Sequence, residues 1–195
     1  MWFGTLVAVS WWNDLGLNEA VATFIAFLAM SRSAKLAEFH STCWVTFLEY
    51  KFWGVAKDNL SSTHPICCSH VSHAQAGSLY DGISYGKGPA FVKQLFNLLG
   101  EETFSHGIKL YFSKHAWSHA KLSDFIACLV AAFNSKGGDP QLGPNFDLTL
   151  WCNTWFNTSG INTLEPLVET SESGQLLSLK IVQSPAARGS STLRL

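Results

Sequence analysis

Apolar residues recur at helical spacing through most of the chain and change to strict alternation near its end. From about Leu17 to Glu38 the sequence is apolar nearly all round, which predicts a buried core helix. The preceding apolar run, up to Trp11 and Trp12, is separated from it by Asn13, Asp14, Asn18 and Glu19 and also predicts buried helix. Residues 43–60 give a second helical stretch with Trp44, Phe47, Leu48 and Phe52. The segment Ser61–Ser78 is rich in Ser, His and Cys, contains Pro65, and predicts an irregular connection. Helical spacing resumes at Phe91, Leu95, Leu98 and Leu99 and stops at Gly100. Another helix starts near Glu102, with Phe104, Ile108, Tyr111 and Phe112 along one face. Ser123 reads as the cap of a helix carrying Phe125, Ile126, Leu129 and Phe133, which ends near Gly137-Gly138. Asp147 is the expected N-cap of a last helix, on which Trp151 and Trp155 lie four apart.

After Gly160 the pattern changes. Leu177, Leu179 and Ile181 alternate with Ser178, Lys180 and Gln183, the period of a strand. One strand cannot stand alone. The sequence therefore divides into a mainly α part over residues 1–165 and the incomplete start of a β domain over 166–195.

Composition sharpens this reading. Hydrophobic residues make up 47% and charged residues 14%, and there are 8 Trp and 14 Phe. A low charge fraction with so many large side chains suits a piece of a larger protein, whose former interfaces count as surface and remain available for association. The net charge of -1 gives no electrostatic reason to expect nucleic acid. No Lys or Arg precedes the first apolar run, so no signal peptide is predicted. Ala20–Met30 falls short of the ~20 apolar residues that span a bilayer. Five cysteines (Cys43, Cys67, Cys68, Cys128, Cys152) without repeated spacing read as free thiols in a reducing compartment, and the expected location is the cytoplasm.

The candidate chemistry lies in two segments. The first is WFGTLVAVSWWNDLGLNEAVA, residues 2–22. It resembles the run that follows the HExxH helix in the aminopeptidase N family of zinc metallopeptidases, the gluzincins. In that family two His four apart on one helix hold zinc, the Glu between them is the general base, and a Glu from the next helix is the third ligand. Eighteen residues, Met1–Asn18, lie between Glu19 and the place where the second His would stand, so the resemblance makes Glu19 the metal ligand. The second segment is DGISYGKGPAFVKQL, residues 81–95. It is similar to the family turn whose Tyr donates a hydrogen bond to the oxyanion of the tetrahedral intermediate, and Tyr85 is the matching residue. Lys87 and Gly88 read as structural residues of that turn.

The resemblance continues through SSTHPI (Ser61–Ile66), Leu98–Trp117, Leu122–Phe125 and Trp151–Leu164 to the strand GQLLSLKIVQSPA and the terminal TLRL. It implies the C-terminal helical half of a thermolysin-like catalytic domain, followed by the opening strand of a β-sandwich. The implied reaction is removal of N-terminal residues from peptides by zinc-activated water, with one zinc ion as cofactor and peptides as partners. HExxH and the upstream GxMEN strand are missing, so the chain reads as truncated at both ends. Alone it is expected to be inactive. Gly16 stands where the family usually has Trp, which removes buried area, and Ala8, Ala20 and Val21 are further departures. The alternative left open is a non-catalytic truncated paralogue that acts by binding. Three histidine groupings are set aside as metal sites. His115 and His119 have helical metal spacing but Ala116 where a base would stand. His70 and His73 are a polar loop pair, and His64 before Pro65 reads as structural.

Overall fold

The computed structural model describes residues 2–139, 142–143, 145–186 and 189–193. Met1, Arg194 and Leu195, which entered the sequence comparison, lie outside the described residues. Strand β1 (Val7–Val9) leads through a 3-10 turn at Trp12–Asp14 into α1 (Leu15–Met30). After α2 (Cys43–Asp58) the chain crosses a connection that holds the single-turn α3 (His73–Ala76). A π-helical turn at Ile83–Lys87 runs directly into α4 (Gly88–Leu99). Then come α5 (Glu101–His115), β2 (Ser118–Ala120), α6 (Leu122–Ser135) and α7 (Leu148–Phe156). A hairpin of β3 (Thr163–Thr170) and β4 (Leu176–Ser184) closes the order. No helix among the described residues is long and apolar enough to cross a membrane.

The core forms where the apolar faces of these helices converge. Leu17, Ala20, Val21 and Phe24 of α1 meet Phe91, Val92 and Leu95 of α4, Tyr111 of α5, Phe125 and Leu129 of α6 and Phe156 of α7. Phe24, Phe91, Tyr111, Phe125 and Phe156 are fully buried, each contributing a large area removed from water. A smaller cluster of Leu15, Val71, Ala76 and Leu79 seats the irregular connection against the start of α1.

Helix periodicity locates α2 and α4–α7 well. Gly100 ends α4, and Asp147 caps α7 by accepting from Leu150 N at 2.9 Å. Four expectations need correction. The long helix expected over Leu17–Glu38 stops at Met30 and becomes a 3-10 turn over Ala34–Phe39. Ser31 Oγ turns back to Leu28 O at 2.8 Å, the local competition by which serine ends helices. The helix expected before Trp12 is instead β1, parallel to β2 in the register Val7↔Ser118 and Val9↔Ala120. Val7 and Val9 are β-branched, and Trp117 N donates to Leu6 O at 2.7 Å, so a distant partner decides their state. Ser123 lies inside the first turn of α6, whose N-cap is Lys121. There Asp124 Oδ2 accepts from the Lys121 backbone N–H at 2.8 Å.

The fourth correction is β3, an unpredicted antiparallel partner of β4 in the register Leu164↔Gln183, Pro166↔Ile181 and Val168↔Leu179. Pro166 inside a strand argues against a central position and suits an edge. Leu164, Pro166 and Val168 share one face with Leu179 and Ile181, and the large apolar residues of that face are exposed.

Gly16 also has a reason that the sequence did not show. A methyl group there would lie 2.0 Å from Ile66 O, so α1 and the connection touch at backbone distance. The glycine is a contact point, and no larger side chain fits this arrangement.

Candidate functional site

Glu19 sits in the second turn of α1, half-buried, and its direction follows from how the start of that helix is held. Trp11 Nε1 donates to Val71 O at 2.9 Å and Asn13 Nδ2 to Ser69 O at 2.8 Å. Cys68 N donates to Asn13 O at 2.9 Å. Trp12 Nε1 donates to His73 Nδ1 at 2.9 Å, which fixes His73 as an acceptor with its proton on Nε2. The WWND segment thus staples the irregular connection to the N-terminus of α1, and His73 belongs to the staple.

The π-helical turn brings Tyr85 to the same place. It packs on α2 through paired glycines: a methyl at Gly86 would lie 2.3 Å from Tyr50 O, and one at Gly54 would lie 2.4 Å from Lys87 N. It packs on α1 through Gly88, where a methyl would meet Ala20 Cβ at 2.7 Å. Glu19 precedes Ala20, so this contact sets Tyr85 beside the carboxylate. Burial and then the neighbouring Glu19 carboxylate push the Tyr85 hydroxyl up to about 12. The phenol therefore stays protonated at neutral pH and is a donor. Its ring is stacked between Trp53, at 6.4 Å between centroids and 6° between planes, and Tyr80, at 6.4 Å and 29°.

Ion pairs bracket the turn at both ends. At its start Asp81 Oδ1 accepts from Ile83 N at 2.9 Å and Asp81 O from Tyr85 N at 3.0 Å. Asp81 Oδ2 faces Lys57 Nζ at 3.3 Å and His64 Nε2 at 3.1 Å. At its end Lys87 Nζ meets Asp58 Oδ2 at 2.8 Å and donates to Thr158 O at 3.1 Å, with Asp58 entirely buried. Asp58 Oδ1 accepts from Gly160 N at 2.8 Å. Lys87 is thus a structural residue, as its place in the turn suggested. Its partner Asp58, together with Lys57, Asp81, Trp53 and Tyr80, was not singled out from the sequence. The available signal was charge order: Lys57-Asp58 on α2 faces Asp81 and Lys87 of DGISYGK in complementary positions.

His64 has acceptors on both ring nitrogens, Pro65 O at 2.7 Å from Nδ1 and Asp81 Oδ2 from Nε2, so it carries both protons. Burial opposes that charge, but the hydrogen bonds to Asp81, Cys68 and Pro65 outweigh it and push the group up to about 10. Asp81 is moved the other way: burial alone would raise it, and the His64 hydrogen bond lowers it. A raised histidine contributes stability that is complete below its unfolded value near 6.5 and is lost as pH rises through the folded one. Urea unfolding is therefore expected to show stability falling by a few kcal/mol between about pH 6.5 and 10, up to about 1.4 kcal/mol for each pH unit. In His64→Gln that loss is expected to disappear, while equal pH dependence in both proteins would contradict the assignment.

His115 ends α5 and His119 lies on β2 beyond the left-handed Trp117, whose φ is 65°, so helical spacing between the two histidines is not realised. Among the described residues no group of three or more His, Cys, Asp or Glu side chains is arranged to hold a metal ion. A zinc centre needs three protein ligands. Glu19 offers one carboxylate, so the described residues alone do not make the zinc site implied by the resemblance.

Comparison with known proteins fits this geometry. Residues 1–155 match the model of the peptidase family M1 domain. Aminopeptidase N of Streptomyces lividans is 38% identical over 200 residues, covering 100% of this chain and 22% of that protein. Probable aminopeptidase 2 of Sulfurisphaera tokodaii is 39% identical over 125 residues, 64% of this chain and 16% of that protein. Endoplasmic reticulum aminopeptidase 2 of Homo sapiens is 31% identical over 195 residues, 92% of this chain and 20% of that protein. The chain spans about a fifth of the length of these relatives.

Proposed function

Because this chain belongs to peptidase family M1, we propose that it carries part of an aminopeptidase centre that removes N-terminal residues from peptides. Members of the family are generally zinc-dependent. In this reading Glu19 is one metal ligand and Tyr85 donates to the oxyanion that forms on the substrate carbonyl. The observation that carries the reading is the close packing of Gly88 on Ala20, which sets the π turn bearing Tyr85 beside Glu19. Two motifs far apart in sequence supply the two groups. The protonated state of Tyr85 supports the donor role, because an oxyanion is stabilised by a preorganised neutral donor.

Residues 1–165 would form the C-terminal helical part of the catalytic domain and 166–195 the start of a β domain. Support comes from the family match ending at residue 155 and from the apolar hairpin face, suited to packing against further strands. The five free thiols favour a reducing compartment, and we assign the cytoplasm.

The test uses two proteins. The 195-residue chain alone is expected to show no hydrolysis of alanyl or leucyl amides, since its sequence has no HExxH and its described residues hold no group of three metal ligands. A hybrid in which this chain replaces the matching stretch of the Streptomyces aminopeptidase N is expected to hydrolyse them. Turnover by the chain alone, or a folded hybrid without turnover, would overturn the reading.

A further inference from the structure

We propose that Lys57 and Asp58 of α2, acting through Asp81 and Lys87, are positioning residues that fix the Tyr85 hydroxyl against Glu19. This rests on the reading of Glu19 and Tyr85 as one site and adds the device that aligns them. Lys57 and Asp58 are neighbours, yet they reach opposite ends of the five-residue π turn: Lys57 holds Asp81 before it, and Asp58 holds Lys87 at its end. The two pairs have opposite polarity, and a slip of the turn by one residue would take both Asp81 and Lys87 out of register with their partners. A π turn needs such anchoring, since one extra residue per turn leaves its backbone geometry less favourable than that of an α-helix.

The path from clamp to hydroxyl is short. The Asp81 carboxylate binds Ile83 N, and the Asp81 carbonyl binds Tyr85 N itself, so a shift of Asp81 moves the tyrosine backbone directly. His64 contributes as the second partner of Asp81 Oδ2, with both of its ring nitrogens committed to acceptors. Between the clamps the turn lies on α2 at backbone distance through Gly54 and Gly86, which leaves no side chain to act as a cushion. The ion pairs and this contact therefore define where the phenol points along α2, and the stacked Trp53 and Tyr80 define the ring plane.

The experiment uses the full chain labelled with carbon-13 at the tyrosine ring carbon that bears oxygen. There are four tyrosines, and Tyr85→Phe identifies the resonance. Glu19→Gln is expected to shift the Tyr85 signal, because the hydroxyl faces a carboxylate in one protein and an amide in the other. If it shifts nothing, the shared site of Glu19 and Tyr85 is wrong, and the function reading fails first. Given that shift, Asp81→Ala and Lys57→Met are expected to abolish the response of Tyr85 to Glu19→Gln. Asp81→Asn, which keeps an acceptor for Ile83 N, is expected to retain part of it. The signal of Tyr111, buried in the core, reports whether each variant is folded and is expected to stay in place. Lys57→Met removes only the bonds of Lys57 to Asp81 and to Ser62 Oγ, leaves the Asp81–His64 contact in place, and serves if Asp81→Ala does not fold. A full response to Glu19→Gln persisting in folded Lys57→Met and Asp81→Ala would overturn the proposal.

Discussion

Tyr85→Phe in the hybrid aminopeptidase is expected to lower kcat by about 10²–10³-fold, with KM changed little. The substitution removes one oxygen and leaves the ring between Trp53 and Tyr80, so packing is preserved. In the proposed role, what disappears is a donor aimed at charge that exists only in the transition state, and a lost donor of that kind acts on kcat. The expected loss corresponds to about 2.7–4 kcal/mol of transition-state stabilisation. Steady-state kinetics with an alanyl amide measure it. An effect on KM alone would assign Tyr85 to substrate binding, and no effect would remove it from the centre.

The second large effect concerns stability. Lys87→Met is expected to destabilise the fold by about 3–5 kcal/mol in urea unfolding, because it leaves a buried carboxylate without its cation. Asp58 is wholly buried, and the same ammonium also satisfies the Thr158 and Gly160 carbonyls, which join α7 to the hairpin. Domains have total stabilities of only about 5–15 kcal/mol, so this single change approaches global unfolding. Combining it with Asp58→Asn is expected to recover part of the loss. The amide removes the stranded charge while its oxygen still accepts from Gly160 N. A double variant no more stable than Lys87→Met would show that the ion pair is not what the lysine supplies.

The motifs were more legible than the local structure around them. LNE and ISYGKG could be read directly, since a motif depends on residue type and order, and in the fold the Tyr85 phenol lies within the influence of the Glu19 carboxylate. Helices α4 to α7 were visible because each buries one face at a period that the sequence repeats. The short strands β1 and β2 were not visible. Three residues give no measurable period, and each takes its state from a partner about 110 residues away, outside any local pattern. Strand β3 was hidden by Pro166, which on an edge costs no ladder bond that matters but in a pattern reads as a break.

The clamp was hidden for another reason. Lys57-Asp58 at the end of a helix looks like solvated surface, and a mixed pair of charges is usually that. Only the tertiary arrangement shows that Asp58 is sealed against Lys87 while Lys57 reaches the loop on the other side. Gly16 is a related case. Read along the chain it was a loss of buried area, but against Ile66 O it is the residue that lets two backbones touch.

The metal content of the hybrid enzyme, by elemental analysis of the purified protein after dialysis, decides whether Glu19 is a zinc ligand. About one zinc per polypeptide is expected in the parent hybrid and in Tyr85→Phe, and almost none in Glu19→Gln. Equal zinc in all three proteins would contradict it, since the carboxylate in LNE would then not hold the ion.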